Sequence, residues 1–131
     1  MDKVRIIVLN FNQPEYTIAT VEQLVKQSAI EKEIIVIDNC STQQNYEILK
    51  KGLDKNVVLK RSEINLGYSK GNNLGCRMKT GFNPDYYFIV NNDVEIEDEN
   101  LIQKLIVSIE NNGKNKVVAA SPLIDTISTK K

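Results

Sequence analysis

Five short apolar runs punctuate the chain, and between them apolar residues recur at every third or fourth position. The first run, VRIIVL at residues 4–9, is mostly β-branched and reads as a strand. Asn12-Gln13-Pro14 follows as a turn. Ile18, Val21, Leu24 and Val25 then mark the inner face of a helix over 15–28. EIIVI at 33–37 predicts a second strand. Tyr46, Leu49 and Leu53 predict a helix over 42–53, with Ser41 or Thr42 as its N-cap. NVVLK at 56–60 is a third strand, and a helix over 69–81 turns Leu74 and Met78 inward. Tyr86–Val90 is a fourth strand. Leu101, Ile102, Leu105, Ile106 and Ile109 place a helix over about 98–112, and VVAA at 117–120 is a fifth strand.

The order is therefore β-α-β-α-β-α-β-α-β. Strands that are apolar on both faces and alternate with helices predict an α/β fold, a mostly parallel sheet with helices on both faces. Such sheets bind ligands beyond the carboxyl ends of their strands, near the point where the strand order reverses. The residues after each strand thus matter most. They are Asn10-Phe11-Asn12, Asp38-Asn39-Cys40-Ser41, the loop 61–68 and Asn91-Asn92-Asp93. Singly, each is an ordinary turn, because Asn, Asp and Ser favour turns. On one sheet edge they form a joint candidate site.

Composition narrows the chemistry. The 131 residues suit one compact domain, with 41% hydrophobic and 26% charged positions. Lys plus Arg and Asp plus Glu number 17 each, so net charge gives no reason to expect nucleic-acid or anionic-membrane binding. With no histidine and no CxxC pair, thiolate–imidazole zinc sites and histidine acid–base catalysis are excluded. Cys40 and Cys76 fit a reducing, cytoplasmic setting as unpaired thiols. The amino-terminal apolar run, about six residues, is too short for a signal segment or a spanning helix.

The least ordinary segment is NLGYSKGNNLG at 65–75, where Gly67, Gly71 and Gly75 recur at a regular spacing and open a helix. Glycine permits close backbone approach, and helix N-terminal amides attract phosphate. A helix that packs tightly through its glycines explains the spacing equally well. The segment is neither a Walker A loop nor a dinucleotide fingerprint.

Together, VRIIVLNFN, IIVIDNCST, NLGYSKGNNLG and FIVNNDVEI, in that order, resemble the amino-terminal half of a family 2 glycosyltransferase of the GT-A fold. The rhamnosyltransferase-like branch is the nearest in flavour. The resemblance runs from Val4 to about Pro122 and implies a nucleotide-diphospho-sugar-binding half over 1–122, followed by a polar tail at 123–131. It implies that Leu9, Asn10 and Phe11 line the base and ribose pocket, and that the Asp38 carboxylate accepts the N3–H of a uridine-type base. Asn39 and Ser41 would hold that turn. Asn65, Gly67 and Asn72 would lie near the ribose and pyrophosphate, with Lys70 or Arg77 in place of the family's usual helix arginine. Asn91-Asn92-Asp93 matches the family's DxD metal motif, so Asp93 would bind Mg²⁺ or Mn²⁺ and Asn91 the ribose or a metal-bound water. One carboxylate with diphosphate oxygens and waters suits either ion. Glu95 and Glu97 read as exposed, and Asp98 as a cap of the following helix.

The implied activity is inverting sugar transfer from a UDP- or dTDP-sugar to an acceptor hydroxyl, on a sugar or a lipid-linked glycan. This is the chemistry of cell-surface polysaccharide synthesis, at the inner face of a membrane in the full enzyme. The acceptor wall and the acidic general base belong to a second half, which the residues up to Lys131 do not supply. The expectation is a truncated GT-A unit, weak or inactive alone, whose apolar end favours homo-oligomers. A non-catalytic assembly module with a degenerate GT-A fold is the alternative. A receiver or flavodoxin-like domain is disfavoured, because Asn10-Phe11-Asn12 and Arg61-Ser62 stand where a receiver needs its acids.

Overall fold

The computed structural model describes residues 1–111 and 121. Strands and helices alternate as β1 (Lys3–Asn10), α1 (Pro14–Val25), β2 (Glu31–Asn39), α2 (Gln43–Gly52), β3 (Val58–Ser62), α3 (Gly67–Arg77), β4 (Tyr86–Val90) and α4 (Leu101–Glu110). Among the described residues the four strands form one sheet in the order β3-β2-β1-β4, with every pairing parallel. The α/β fold with a parallel sheet is thus the one the hydrophobic pattern predicts. The expected fifth strand at 117–120 and the tail at 123–131 lie outside the described residues. Among the described residues no helix is long and apolar enough to cross a membrane.

Side chains alternate across the sheet, so each inner strand feeds two cores. Val4, Ile6 and Val8 of β1 join Ile34 and Val36 of β2 beneath α1 and α4, where Val21, Leu24, Ile102 and Ile106 close the layer. Ile7, Ile35 and Ile37 point the other way, to α3. That helix lies unusually close to the sheet. A Cβ at Gly75 would stand 2.8 Å from Ile7 Cγ2, and one at Gly71 2.9 Å from Leu9 Cδ2. Gly67 has a different reason to be glycine: its φ is 75°, and nothing lies within 4 Å of where a Cβ would be.

Boundaries differ from the sequence expectation where tertiary contacts intervene. The third strand is Val58–Ser62 rather than 56–60, because its pairing with β2 runs from Ile35↔Val58 to Asn39↔Ser62. Helix α1 stops at Val25, which is 39% exposed rather than inward. Helix α2 ends before Leu53, which packs on the core from the C-cap position. Helix α3 starts two residues earlier than expected and ends at Arg77. Helix α4 begins at Leu101 with Asn100 at the N-cap. Asp98 sits just outside it, accepting from the Asn100 N–H and pairing with Lys104. Thr42 does cap α2, accepting from the Asn45 N–H at 3.3 Å.

One feature had no apolar signature. Arg5, inside β1, is 2% exposed and pairs with Glu33 of β2 at 2.8 Å. Its guanidinium also donates to the carbonyls of Cys76 and Met78 at 3.0 and 2.8 Å, and to Thr80 Oγ1 at 3.1 Å. It therefore satisfies the free carbonyls at the C-terminal end of α3 and anchors the loop beyond.

Candidate functional site

All four strands run the same way, so the turns after β1, β2, β3 and β4 gather at one edge. The strand order reverses at β1: the chain moves outward through β2 to β3, then returns to the other side of β1 as β4. The turns after β1, β2 and β4 are the ones expected to hold a ligand.

The β2 turn is built inward. Asp38 is fully buried. Its Oδ1 accepts from Asn10 Nδ2 at 3.0 Å and Ser41 Oγ at 2.5 Å, and its Oδ2 accepts from the Ser41 N–H at 3.3 Å. Arg61 Nε stands 3.6 Å from Oδ2, and Arg61 Nη2 donates to the Ser41 carbonyl. The same guanidinium lies 4.4 Å over the Tyr46 ring. This set of bonds holds Cys40 at a φ of 63°, a conformation that costs a non-glycine residue about 1–3 kcal/mol.

The β1 turn is tied to it. Asn10 is fully buried. Its amide donates to Asp38 and Ser41, and its carbonyl oxygen accepts from Thr17 Oγ1 at 2.6 Å. Phe11 is 49% exposed at the edge, whereas Leu9 packs under α3. Asn12 has a φ of 52° and accepts from the Thr42 N–H.

The glycine-rich segment meets the β2 turn through Asn39. That side chain donates to the Gly67 carbonyl at 3.2 Å and accepts from the Leu66 N–H at 3.4 Å. Asn65 accepts from the Gly67 N–H at 2.9 Å. Helix α3 then begins with no side-chain cap. Asn72 is 4% exposed, and neither polar atom of its amide has a hydrogen-bond partner among the described residues. A buried group of this kind normally costs about 1–3 kcal/mol when it is left unpaired. Lys70 and Arg77 are both exposed on this helix.

The β4 turn differs from the others. Asn92 faces inward, donating to Gln13 and Thr17. Asn91 and Asp93 are exposed, and neither side chain enters a hydrogen bond or ion pair among the described residues. No three His, Cys, Asp or Glu side chains converge among the described residues. A cation at Asp93 would need oxygen ligands from elsewhere, which fits an ion shared with a diphosphate. Glu95 and Glu97 are exposed, with Val94 and Ile96 between them half-buried. A groove of about 240 Å³ between α1 and the end of α2 lies at the opposite edge of the sheet, lined by Ile18, Val21, Val25 and Leu53.

Residues 5–130 match the model of glycosyl transferase family 2. The chain belongs to that family. Glycosyltransferase GlyG of Streptococcus pneumoniae is 27% identical to this family 2 domain over 117 residues, covering 88% of the chain and 38% of that protein. Two solved structures share its fold. The Pyrobaculum calidifontis mannosyltransferase PcManGT, in complex with GDP-Man and Mn²⁺, superposes with a TM-score of 0.69 at 16% identity, over 81% of this chain and 32% of that one. Staphylococcus aureus TarS 1–349, in complex with UDP, gives 0.66 at 25% identity, over 85% and 33%. The family 2 domain thus spans about a third of each relative's length.

Sequence reasoning singled out Asp38, Asn10, Asn65, Asn72 and Asp93, and the fold brings all of them to the carboxyl edge or to α3 beside it. Only some of them face outward. Thr17 and Gln23, which organise the turns, were missed, and Arg61 and Asn92 were named only as parts of the loop 61–68 and the Asn91-Asn92-Asp93 motif. The signal of the first two was present as polar residues at helical spacing on α1, and that of Arg61 as a lone arginine near the end of β3.

Proposed function

We propose that this chain is the donor-binding part of a glycosyltransferase, holding the diphosphate of a UDP- or dTDP-sugar together with Mg²⁺ or Mn²⁺. The observation that carries the reading is a contrast along the edge. Asn10, Asp38, Asn39, Ser41 and Asn92 are all engaged in holding turns, whereas the Asp93 carboxylate is exposed and unengaged. Asn72, within the glycine-rich segment, adds a buried amide with no hydrogen-bond partner among the described residues. PcManGT with GDP-Man and Mn²⁺, and TarS with UDP, support the same ligand class. The NLGYSKGNNLG and Asn91-Asn92-Asp93 motifs favour the rhamnosyltransferase-like branch.

In this reading Asp93 supplies one hard oxygen, and the phosphates complete the ion's coordination. The chemistry the ion would supply there is charge compensation for a departing diphosphate. Asn91 sits beside it for the ribose or a bound water. Phe11 offers an exposed ring to the base. Asp38 and Asn10 act as internal struts that shape the base-side turn, and the uncapped start of α3 offers backbone amides toward phosphate. Sugar transfer to an acceptor hydroxyl with inversion is the reaction of the full-length protein.

Thermal unfolding of the chain with UDP or dTDP, with and without Mn²⁺, tests this. The nucleotide should raise the midpoint most when Mn²⁺ is present, and Asp93→Asn should abolish that metal-dependent part. No shift with any nucleoside diphosphate plus metal would sink the proposal and leave an assembly module as the better account.

A further inference from the structure

The segment that carries Asp93 has no regular secondary structure between β4 and α4. Several of its backbone polar groups are nevertheless paired, with side chains of α1 and with Gln27 just beyond that helix. Thr20 Oγ1 donates to the Asn92 carbonyl at 2.7 Å. Gln23 Nε2 donates to the Val94 carbonyl at 3.3 Å, and Gln23 Oε1 accepts from the Ile96 N–H. Gln27 repeats the pattern one turn on, donating to the Asp98 carbonyl at 2.8 Å and accepting from the Ile102 N–H at 3.1 Å. Thr17 Oγ1 accepts from Asn92 Nδ2 while donating to Asn10.

Thr17, Thr20 and Gln27 are buried, so these bonds are shielded from water. Thr17, Thr20 and Gln23 lie three apart on one face of α1, and Gln27 follows two residues past its end, which aligns them along the segment. An amide that both accepts and donates imitates a neighbouring strand, so α1 does for residues 92–96 what a sheet partner would otherwise do. Asp93 lies between two residues whose carbonyls are both held, at Asn92 and Val94. Its own side chain has no partner among the described residues, while the backbone on either side of it is held.

We propose that Thr20 and Gln23 of α1 are positioning residues for the metal carboxylate, setting Asp93 at a fixed distance from the base-side turns that Thr17 and Asn10 tie to the same helix. This rests on the donor-binding reading above and deepens it. Neither residue touches the ligand. Each acts through the backbone on either side of Asp93. Gln27 grips the segment farther on and anchors the start of α4.

The test titrates Mn²⁺ at saturating UDP in Thr20→Val and Gln23→Met, which keep shape and remove the bonds. Gln27→Met serves as the distant control. With roughly one or two net hydrogen bonds lost, the apparent Mn²⁺ constant should weaken about five- to tenfold in the first two. UDP affinity without metal should stay within about twofold, and Gln27→Met should leave the Mn²⁺ constant within the same margin while lowering the thermal midpoint comparably. Equal weakening in all three variants would mean general destabilisation and overturn the proposal, as would no change in any. If the wild-type chain shows no metal-dependent UDP binding, the donor-binding reading fails, and backbone amide exchange decides the positioning claim. Acceleration confined to residues 92–97 in Thr20→Val and Gln23→Met sustains it. Acceleration spread over the sheet, or absent, overturns it.

Discussion

Replacing Asp38 with Asn preserves the shape of the side chain and removes only its charge and one acceptor oxygen. The consequence depends on which way the carboxylate works. In the structure both oxygens are occupied from inside: Oδ1 by Asn10 and Ser41, Oδ2 by the Ser41 N–H with Arg61 at 3.6 Å. An Asn oxygen can take over one of these positions, and its NH₂ must then face donors at the other. The loss is one charge-assisted hydrogen bond, about 1.5–3 kcal/mol, plus a buried donor left without an acceptor, about 1–3 kcal/mol. Arg61 is one-third exposed, so its ion pair adds at most about 1 kcal/mol. The sum, about 2.5–7 kcal/mol, is a large share of a typical domain's stability. Urea unfolding of Asp38→Asn should show that loss with an unchanged m-value, and the thermal midpoint should fall by roughly 10–25 °C. Nucleotide affinity, measured well below that midpoint, should fall less than tenfold. The refuting result is the reverse pattern. A variant within 1 kcal/mol of wild type that loses nucleotide binding outright would mean that the carboxylate faces the base, as the family resemblance implies.

Further expectations follow from other parts of the molecule. Arg5→Met should cost about 3–5 kcal/mol in urea unfolding, because it strands Glu33 and the carbonyls at the end of α3; adding Glu33→Met should recover part of the loss. In thiol titration with an aromatic disulfide, exposed Cys40 should react fast. Cys76 should lag and need higher pH, because burial pushes its thiol pKa up despite Arg5 and Arg77 nearby. The Asp98 carboxyl is held below its ordinary value of 3.8 by the Lys104 ammonium and the Asn100 N–H. A lowered folded-state pKa means that the bond helps fully above the ordinary value and is lost as pH falls through the lowered one. Protection of the amides at the start of α4, relative to their intrinsic exchange rates at each pH, should therefore fall at acid pH in the wild type, with no such fall in Asp98→Asn.

The alternation of strands and helices was legible because it depends on burial, which leaves a periodic trace. Tyr86–Val90 is apolar at every position and matches its strand end to end. Boundaries were less legible where a partner sets them. β3 is displaced toward Ser62 because Asp38 and Asn39 offer it backbone partners, which no local pattern in NVVLK records. α3 starts at Gly67 because Asn39 and Asn65 hold that point from outside the helix. At the site, residue type and position were readable, but direction was not. Asp38 closes a strand, where the alternation of faces stops guiding inference, and only the fold shows its carboxylate turned toward Asn10. Arg5 and Glu33 were obscured by the apolar residues around them. The grip of α1 was not legible because its apolar face already accounts for the helix, and Thr and Gln at helical spacing carry no local trace of the distant backbone they meet.

The reversal of strand order at β1 also dictates a sequence of events in time. β1 pairs with β2 across one helix, but with β4 only after more than eighty intervening residues, Val4 meeting Tyr86. Closing the longer loop carries the greater entropic cost and rewards it only once the sheet exists. The β1–α1–β2 unit, with Asn10, Thr17 and Asp38 already joined, can therefore form while the chain is still emerging from the ribosome. The strand carrying Asn91 and Asp93 must dock onto a finished template. Thr17, Thr20 and Gln23 then have a second task, as a preformed rack of donors and acceptors that catches the late segment in its correct register.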